Sequence, residues 1–416
     1  MKVTSLRDYK ESTTPVKQYE DTIRDSFVVK TSGFLTGRNI HYPNCLVETK
    51  DILLNPYDER VMSLKKDSFY DNNEWTSFQV SSHDAVIEEP MFFFVYNVDN
   101  YFHFIYDSLP ILAYYFELKE KVPELKLLLS TSHPTKKSLS PFVKEFLAAI
   151  GIKDSDLCFG TKNVEYTNLY ISTSFTHGQK SNDIFSPQAL TVWNRCQSTL
   201  TNTPKRFYIS RRSWVHGDTS NIGTNYTMRR RCMNEDDLVA LLKKYDIEEV
   251  FTELLTTQQK IAYFRNAELA VGIIGGGLCN LLFSPQTTKS LCITTPHFLE
   301  INKRFSYSME TGVIRYSDSC SHAFPEMKFQ LYSRVKVVEP TSKYFGSVGE
   351  VEKVDGKNYS VRLSSNDIAG FSQDFPLEEV IFEESQLEAV DLGLNSPFVC
   401  DLVKLEEDLK NLLAIQ

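Results

Sequence analysis

The stretch from Leu269 to Phe283, LAVGIIGGGLCNLLF, constrains this chain more than any other. An apolar run of strand length enters three consecutive glycines and leaves as an apolar helical pattern. Glycines at such a turn let backbone amides approach a ligand closely. A helix beginning near Leu278 would add unpaired N–H groups and the positive end of its dipole. That combination suits an anion, most simply the diphosphate of a nucleotide. A second basic element lies upstream, RFYISRR at Arg206 to Arg212. The competing reading of Gly275, Gly276 and Gly277 is a tight strand-to-helix connection that needs positive φ and holds no ligand. The turn matches neither GxGxxG nor the GxxxxGK of a P-loop, so dinucleotide and P-loop readings lose support.

At 416 residues the chain exceeds one ordinary core and should divide into two or three domains of about 100–200 residues each. A hydrophobic content of 42% with 24% charged residues fits a globular chain rather than a disordered one. The net charge of -9 argues against general nucleic-acid binding. Any anionic ligand must therefore meet a local basic pocket, and Arg229, Arg230 and Arg231 form one such cluster. The 8 cysteines are scattered without a CxxC pair or zinc-type histidine spacing, and several lie in apolar runs and read as reduced core thiols. No metal is expected. The N-terminus lacks an apolar leader, and no window nears the roughly 18 apolar residues of a transmembrane helix, so a cytoplasmic protein is expected. Asn225 and Asn358 match the glycosylation sequon but carry little weight without a leader.

The pattern along the chain is an alternation of strand and helix. Up to about Pro90 the sequence is polar and weakly periodic, which predicts a peripheral layer of strands and loops. MFFFVYNV follows as a buried strand, and Tyr101 to Lys119 as a helix that Pro110 must kink or divide. Strands at Leu125–Ser130 and Asn168–Thr173 and helices at Phe142–Ile150 and Ser186–Leu200 continue the series. The polar TNTPK then separates a second block. It predicts a strand at RFYIS, a helix at Asn234–Tyr245, a strand at Glu248–Phe251, a helix at Thr257–Ala267, the glycine turn, and a strand at Leu291–Thr295. Two such blocks predict paired α/β units with parallel sheets, residues 1–200 and 201–329, facing a cleft at the carboxyl ends of their strands. Period-two alternation after Phe329 predicts a small β-barrel over 330–383. A terminal segment, 384–416, should pack an amphipathic helix from about Pro397 to Ala414 on the body.

Several side chains in this frame could do chemistry. His103 and Asp107 are four apart, so one helical face presents both to a ligand or to each other. An N-cap acid with a satisfied histidine is the plainer reading, but the position after a buried strand favours function. Asp107 ranks above His103 as a base because a carboxylate is ionised at neutral pH without tuning. Arg211 and Arg212 end a strand and should enter the ligand crevice, where guanidinium forks suit phosphate. In RRCMNE, Asn234 could cap the helix while Arg231 faces the cleft and Glu235 opens the first turn. Asp154-Ser-Asp156 reads as a turn rather than a metal-binding DxD.

The order of these segments resembles glycosyltransferase family 61. NYFHFIYDSLP matches its N-Y-x-H-F/W-x-x-D/E-x-L-P, YISR and RCMNE match Y-I-S-R and R-x-x-N-E, a helix with Gln258 or Gln259 follows, and VGIIGGGLCNLLF matches V-G-x-H-G-A-G-L-x-N-L-F. The resemblance covers roughly Asn97 to Pro296. It implies a GT-B-like pair of Rossmann-like domains and inverting, metal-independent transfer of a sugar from a nucleotide diphosphate, with a UDP-sugar the preferred donor. It also implies a hydroxyl of a glycan or glycoconjugate as acceptor, no further cofactor, and a polysaccharide-building role. Matched residue by residue, Asp107 and His103 are the catalytic candidates, and Asn97 and Asn100 the acceptor-side ones. Arg211, Arg212, Arg231, Asn234, Glu235, Gly275, Gly276, Gly277 and Asn280 fall on the donor side. Where the family has histidine, this chain has Ile274. That departure supports an alternative, a non-catalytic sugar-nucleotide or glycan-binding protein. Residues 334–381 resemble a KOW-type module with too few clustered basic residues for RNA binding, leaving a structural add-on favoured over partner or acceptor docking. A scaffold built around that module is the remaining alternative.

Overall fold

The computed structural model describes residues 28–36, 46–48, 53–54, 85–94, 101–129, 139–160, 164–172, 188–212, 229–285, 287–294, 313–317, 320–321, 329–363, 379–390, 392–393 and 395–414. Its first sheet contains β1 (Val28–Thr36), β2 (Leu46–Glu48), β3 (Leu53–Leu54), β4 (Ala85–Ile87), β5 (Met91–Phe94), β6 (Lys126–Leu129), β7 (Leu157–Phe159) and β8 (Val164–Ser172). They pair in the order β3-β2-β1-β8-β5-β6-β7, with β4 alongside β8. β8, β5, β6 and β7 are parallel, while β1, β2 and β3 extend the edge antiparallel, the peripheral layer expected of the polar N-terminal region. The MFFF of β5 is buried at every position, the mark of a strand covered on both faces.

The second sheet joins β9 (Arg206–Ile209), β10 (Glu248–Val250), β11 (Leu269–Ile273), β12 (Lys289–Ile293) and β13 (Val313–Ser317) in the order β10-β9-β11-β12-β13. All of its pairings are parallel. This is a doubly wound order that reverses direction between β9 and β11. At such a reversal the loops leaving adjacent strands part to opposite sides and open a crevice at the carboxyl ends. The crevice here lies between Ser210-Arg211 and Ile274-Gly275.

The longer helices among the described residues are α1 (Leu112–Lys121), α2 (Pro141–Ala149), α3 (Gln188–Arg195), α4 (Glu235–Lys243), α5 (Thr257–Arg265) and α6 (Leu402–Ala414). One continuous core joins the sheets: Phe92, Phe94, Phe146 and Trp193 from the first block meet Phe207, Ile209, Phe264 and Phe283 from the second. Phe146 stacks on Phe283 with centroids 5.7 Å apart. A second core lies on the far face of the second sheet, where Leu405, Leu409 and Leu412 of α6 cover Val271 and Leu291 beside Leu238 and Leu242 of α4. The terminal helix therefore docks on the body as its apolar spacing predicts. It begins at Leu402 rather than Pro397, because Val399–Cys400 (β20) pairs antiparallel with Cys320–Ser321 (β14).

The region read as a barrel is a five-stranded antiparallel sheet among the described residues. It orders β18 (Glu379–Glu383), β17 (Asn358–Leu363), β16 (Val348–Asp355), β15 (Arg334–Val337) and β19 (Leu387–Ala389) around a small core of Val335, Val337, Val351, Tyr359 and Val361.

Candidate active site

The chain leaves the carboxyl end of β5 and resumes, after residues outside the described ones, in a helical turn at Tyr101–His103. Asn97 and Asn100 lie outside the described residues. Pro110 has no N–H to donate and crowds the preceding turn, so the helix divides as expected. The division takes the form of a π-turn over Phe104–Ser108, in which Leu109 N–H reaches back to the carbonyl of Phe104. A 3-10 turn at Leu109–Ile111 then leads into α1. Widened turns of this kind recur at functional sites. Tyr106 stacks on Trp193 with centroids 6.2 Å apart, and Trp193 Nε1 donates to Ile105 O at 2.9 Å, which fixes the turn against α3.

His103 Nδ1 lies 2.6 Å from Asp107 Oδ2. The i,i+4 spacing thus brings the two together as predicted. Their exposure differs in a way that spacing alone does not reveal, because the side chain of His103 is 25% accessible and that of Asp107 is 0%. A fully buried carboxylate cannot meet a hydroxyl arriving from solvent. The geometry therefore favours the order opposite to the expected one: Asp107 orients the ring, and the imidazole faces outward.

At the second sheet, Arg211 follows β9 into the switch-point crevice. Its Nη2 donates to Arg229 O at 2.9 Å. Its Nη1 lies 2.6 Å from the place a side-chain carbon at position 275 would take, and Arg230 Nη2 lies 3.7 Å from that place. Gly275 has φ 163, extended backbone open to any residue, so the positive-φ reading does not explain this glycine. The Arg211 guanidinium takes up its side-chain space, and the Arg230 guanidinium lies at ordinary contact distance beside it. Gly277 is tight for another reason, with Ile209 Cγ2 at 2.9 Å and Thr252 Oγ1 at 3.0 Å from its absent Cβ. Gly276 has nothing within 4 Å. The helix that follows is a 3-10 helix over Gly276–Phe283, beginning two residues before the expected Leu278.

The charges at this end are crowded. Burial holds Arg211 below the usual guanidinium range, against the pull of Glu235 and Glu253. Arg230 is pushed well below it by burial and then by the neighbouring charges of Arg211 and Arg229. Like charges in a desolvated crevice favour an anion strongly. Glu235 is buried, and its Oε1 accepts from Tyr208 Oη at 2.8 Å, Ser210 Oγ at 3.0 Å and Arg211 N at 3.0 Å. Burial lifts its carboxyl above the usual range, which those hydrogen bonds only partly reverse. It acts as an anchor for the Arg211 turn.

Two expected donor-side residues are occupied elsewhere. Arg212 forms a bidentate pair with Glu249, Nε to Oε1 at 2.6 Å and Nη2 to Oε2 at 2.7 Å, and also meets Asp236. It ties β9 to β10 and α4. Asn234 stands at the N-cap position of α4 without a side-chain cap bond. Its amide instead brackets the Cys400 backbone, accepting from Cys400 N and donating to Cys400 O, each at 2.8 Å. Capping is a local preference, and a long-range partner has displaced it here. The arginine that reaches Gly275 is Arg230, one place before the expected Arg231, whose carbonyl accepts from Phe398 N at 2.9 Å.

The two ends are linked through Asn280. It is buried, accepts from Tyr101 Oη at 2.5 Å and donates to Gly277 O at 2.8 Å. Tyr101 was missed as a candidate, although its place beside His103 in the motif was the available signal. Gln259 serves the capping box with Thr256, and Gln258 lines a groove with Glu145, Ala148 and Ala149. Ile274, at the family's histidine position, is buried in the shared core and donates its N–H to Ile293 O at 2.9 Å. Asp154–Asp156 forms a 3-10 turn in which Asp156 accepts from Lys119 Nζ at 3.0 Å. Among the described residues no three His, Cys, Asp or Glu side chains converge as a metal site, and no helix is long and apolar enough to cross a membrane.

Parallel sheets covered by helices define a mixed α/β protein consistent with a glycosyltransferase fold. The family described as Glycosyltransferase 61 matches residues 101–291, somewhat under half of the chain, which is similar to it over that span. A stretch of 63 residues is 40% identical to the EGF domain-specific O-linked N-acetylglucosamine transferase of Drosophila melanogaster. It covers 14% of this chain and 12% of that protein, so the chain spans only about an eighth of the length of this relative.

Proposed function

We propose that the chain transfers a sugar, with inversion and without a metal, from a nucleotide diphosphate to a hydroxyl of a glycan or glycoconjugate. The observation that carries this reading is the entry of the Arg211 guanidinium into the side-chain space of Gly275 at the switch point, with Arg230 beside it. The two sheets would act as a GT-B-like pair, residues 1–200 on the acceptor side and 201–329 on the donor side. In the reaction the acceptor oxygen bonds to the anomeric carbon as the carbon–oxygen bond to the diphosphate breaks. The acceptor proton passes to the Nε2 side of His103, whose Nδ1–H is donated to Asp107. The departing electron pair adds charge to the nucleoside diphosphate, which Arg211, Arg230 and the amides at Gly276 and Gly277 stabilise. These groups replace the divalent cation that other transferases place at the same charge.

The relative's name makes N-acetylglucosamine the first sugar to test, supplied as its UDP derivative. The test is a screen of UDP-sugars for release of UDP by the full chain, with hydrolysis counted as turnover. Turnover of at least one donor is expected. The burial of Ile274 at the family's histidine position favours a second reading, binding without turnover. A donor that binds but is never cleaved, whatever acceptor is offered, would establish that alternative.

A further inference from the structure

The basic run that reaches Gly275 is fastened along its length to residues 395–400, which lie outside the family match. Arg230 N donates to Asn395 O at 2.8 Å, Phe398 N to Arg231 O at 2.9 Å, and Met233 N to Phe398 O at 2.8 Å. The Asn234 bracket on Cys400 completes the seam. Side chains extend it to the C-terminal sheet. Arg230 Nη1 donates to Asn395 Oδ1 at 3.2 Å, and Asn395 Nδ2 donates to Glu350 Oε2, on β16, at 3.4 Å. The Arg229 guanidinium lies 5.7 Å from the centroid of Tyr332, just before β15.

Arg230 itself has φ 55, a left-handed conformation uncommon outside glycine. A cationic side chain on a strained backbone, beside two like charges, would relax toward water unless held. Asn395 holds it twice, at the backbone N–H and at the guanidinium. Burial raises the Glu350 carboxyl above the usual range, which Arg362 and the Asn395 hydrogen bond only partly reverse. Glu350 accepts from the same amide that accepts from Arg230, and so backs the hold of Asn395 on that guanidinium.

We propose that the C-terminal sheet is part of the donor-phosphate site, and that Asn395, backed by Glu350, is a positioning residue setting Arg230 against Gly275. This rests on the reading of the arginine cluster as the seat of the donor diphosphate. It assigns the appended sheet a role in ligand affinity in place of partner docking. The experiment is calorimetric titration of UDP into the full chain, with thermal melting measured in parallel. Asn395→Ala is expected to weaken UDP binding by about tenfold, the scale of one lost hydrogen bond to a charged group, while melting stays near wild type. Exchanging the pair, Asn395→Asp with Glu350→Gln, keeps an acceptor for Arg230 and an amide–carboxylate bond behind it, and should restore affinity to within about threefold.

Wild-type UDP affinity in folded Asn395→Ala would overturn the proposal. So would an exchanged pair that folds yet binds UDP as weakly as the alanine variant. If the alanine variant does not fold, the exchanged pair is compared with wild type: UDP affinity within about threefold supports the proposal, and a loss of about tenfold in the folded protein overturns it. A folded wild type that takes up no UDP would instead remove the donor-site reading on which the proposal stands.

Discussion

The two candidate clusters, one beside each parallel sheet, are built on different principles. At the first sheet, His103 and Asp107 come from one turn of one helix and meet because four residues separate them. At the second, Arg211, Arg230 and Gly275 come from three separate segments and meet because β9 and β11 flank the reversal in strand order. The local site needs only a helix to exist. The distant one needs the whole sheet, and in addition a seam to residues 395–400. Chemistry that depends on one oriented proton acceptor can be local, whereas a diphosphate presents charge over a wider span and calls for groups from several directions.

The comparison is tested most severely at the proton acceptor. His103→Ala should lower kcat by about 10²–10⁴, the usual contribution of a positioned general base, and leave UDP affinity unchanged. Loss of UDP affinity in a folded variant would mean that the two clusters are not separable.

The next effect in size concerns the glycines. Gly275→Ala places a methyl 2.6 Å from Arg211 Nη1, so the guanidinium must move while the extended backbone is unaffected. UDP binding should weaken about tenfold, as for one displaced charge-assisted bond, with little change in melting temperature. Gly276→Ala meets nothing within 4 Å and should bind UDP as the wild type does. Equal effects at the two positions would show that backbone freedom, rather than Arg211, explains the glycines.

The smallest expected effect is a change in pH dependence. Burial raises the Glu235 carboxyl above its unfolded value, so the folded state binds that proton more tightly. Its contribution to stability is fully present below the ordinary carboxylate range and is lost as pH rises through the raised folded value. Glu235→Gln should flatten the melting-temperature profile across that window, leaving the part of the slope due to Glu350, which shifts in the same direction. An unchanged profile would show that Glu235 does not titrate in the folded protein as its burial requires.

Much of the architecture was legible because it is periodic. The alternation of buried strands with amphipathic helices identified the parallel sheets, and Pro110 marked the broken helix. What could not be read locally was set by distant packing. Nothing in HFIYD says that Asp107 is sealed in while His103 is partly accessible, since α3 and the π-turn decide it. Asn234 obeys every local rule for a helix cap, yet the Cys400 backbone takes its amide. Arg230 and Arg231 are chemically identical in sequence, and only the strand-like pairing to residues 395–400 selects the one that turns to Gly275. The seam that makes this selection joins residues 165 apart in the case of Arg230 and Asn395, beyond any periodicity.

The central claim is that the nucleoside diphosphate rests on Arg211 at the switch point, apart from the proton acceptor. Titrating UDP into folded Arg211→Ala and His103→Ala tests it directly. Affinity should fall by about 10²–10³ in the arginine variant and stay at the wild-type value in the histidine variant, whereas undiminished UDP binding by Arg211→Ala would contradict the account.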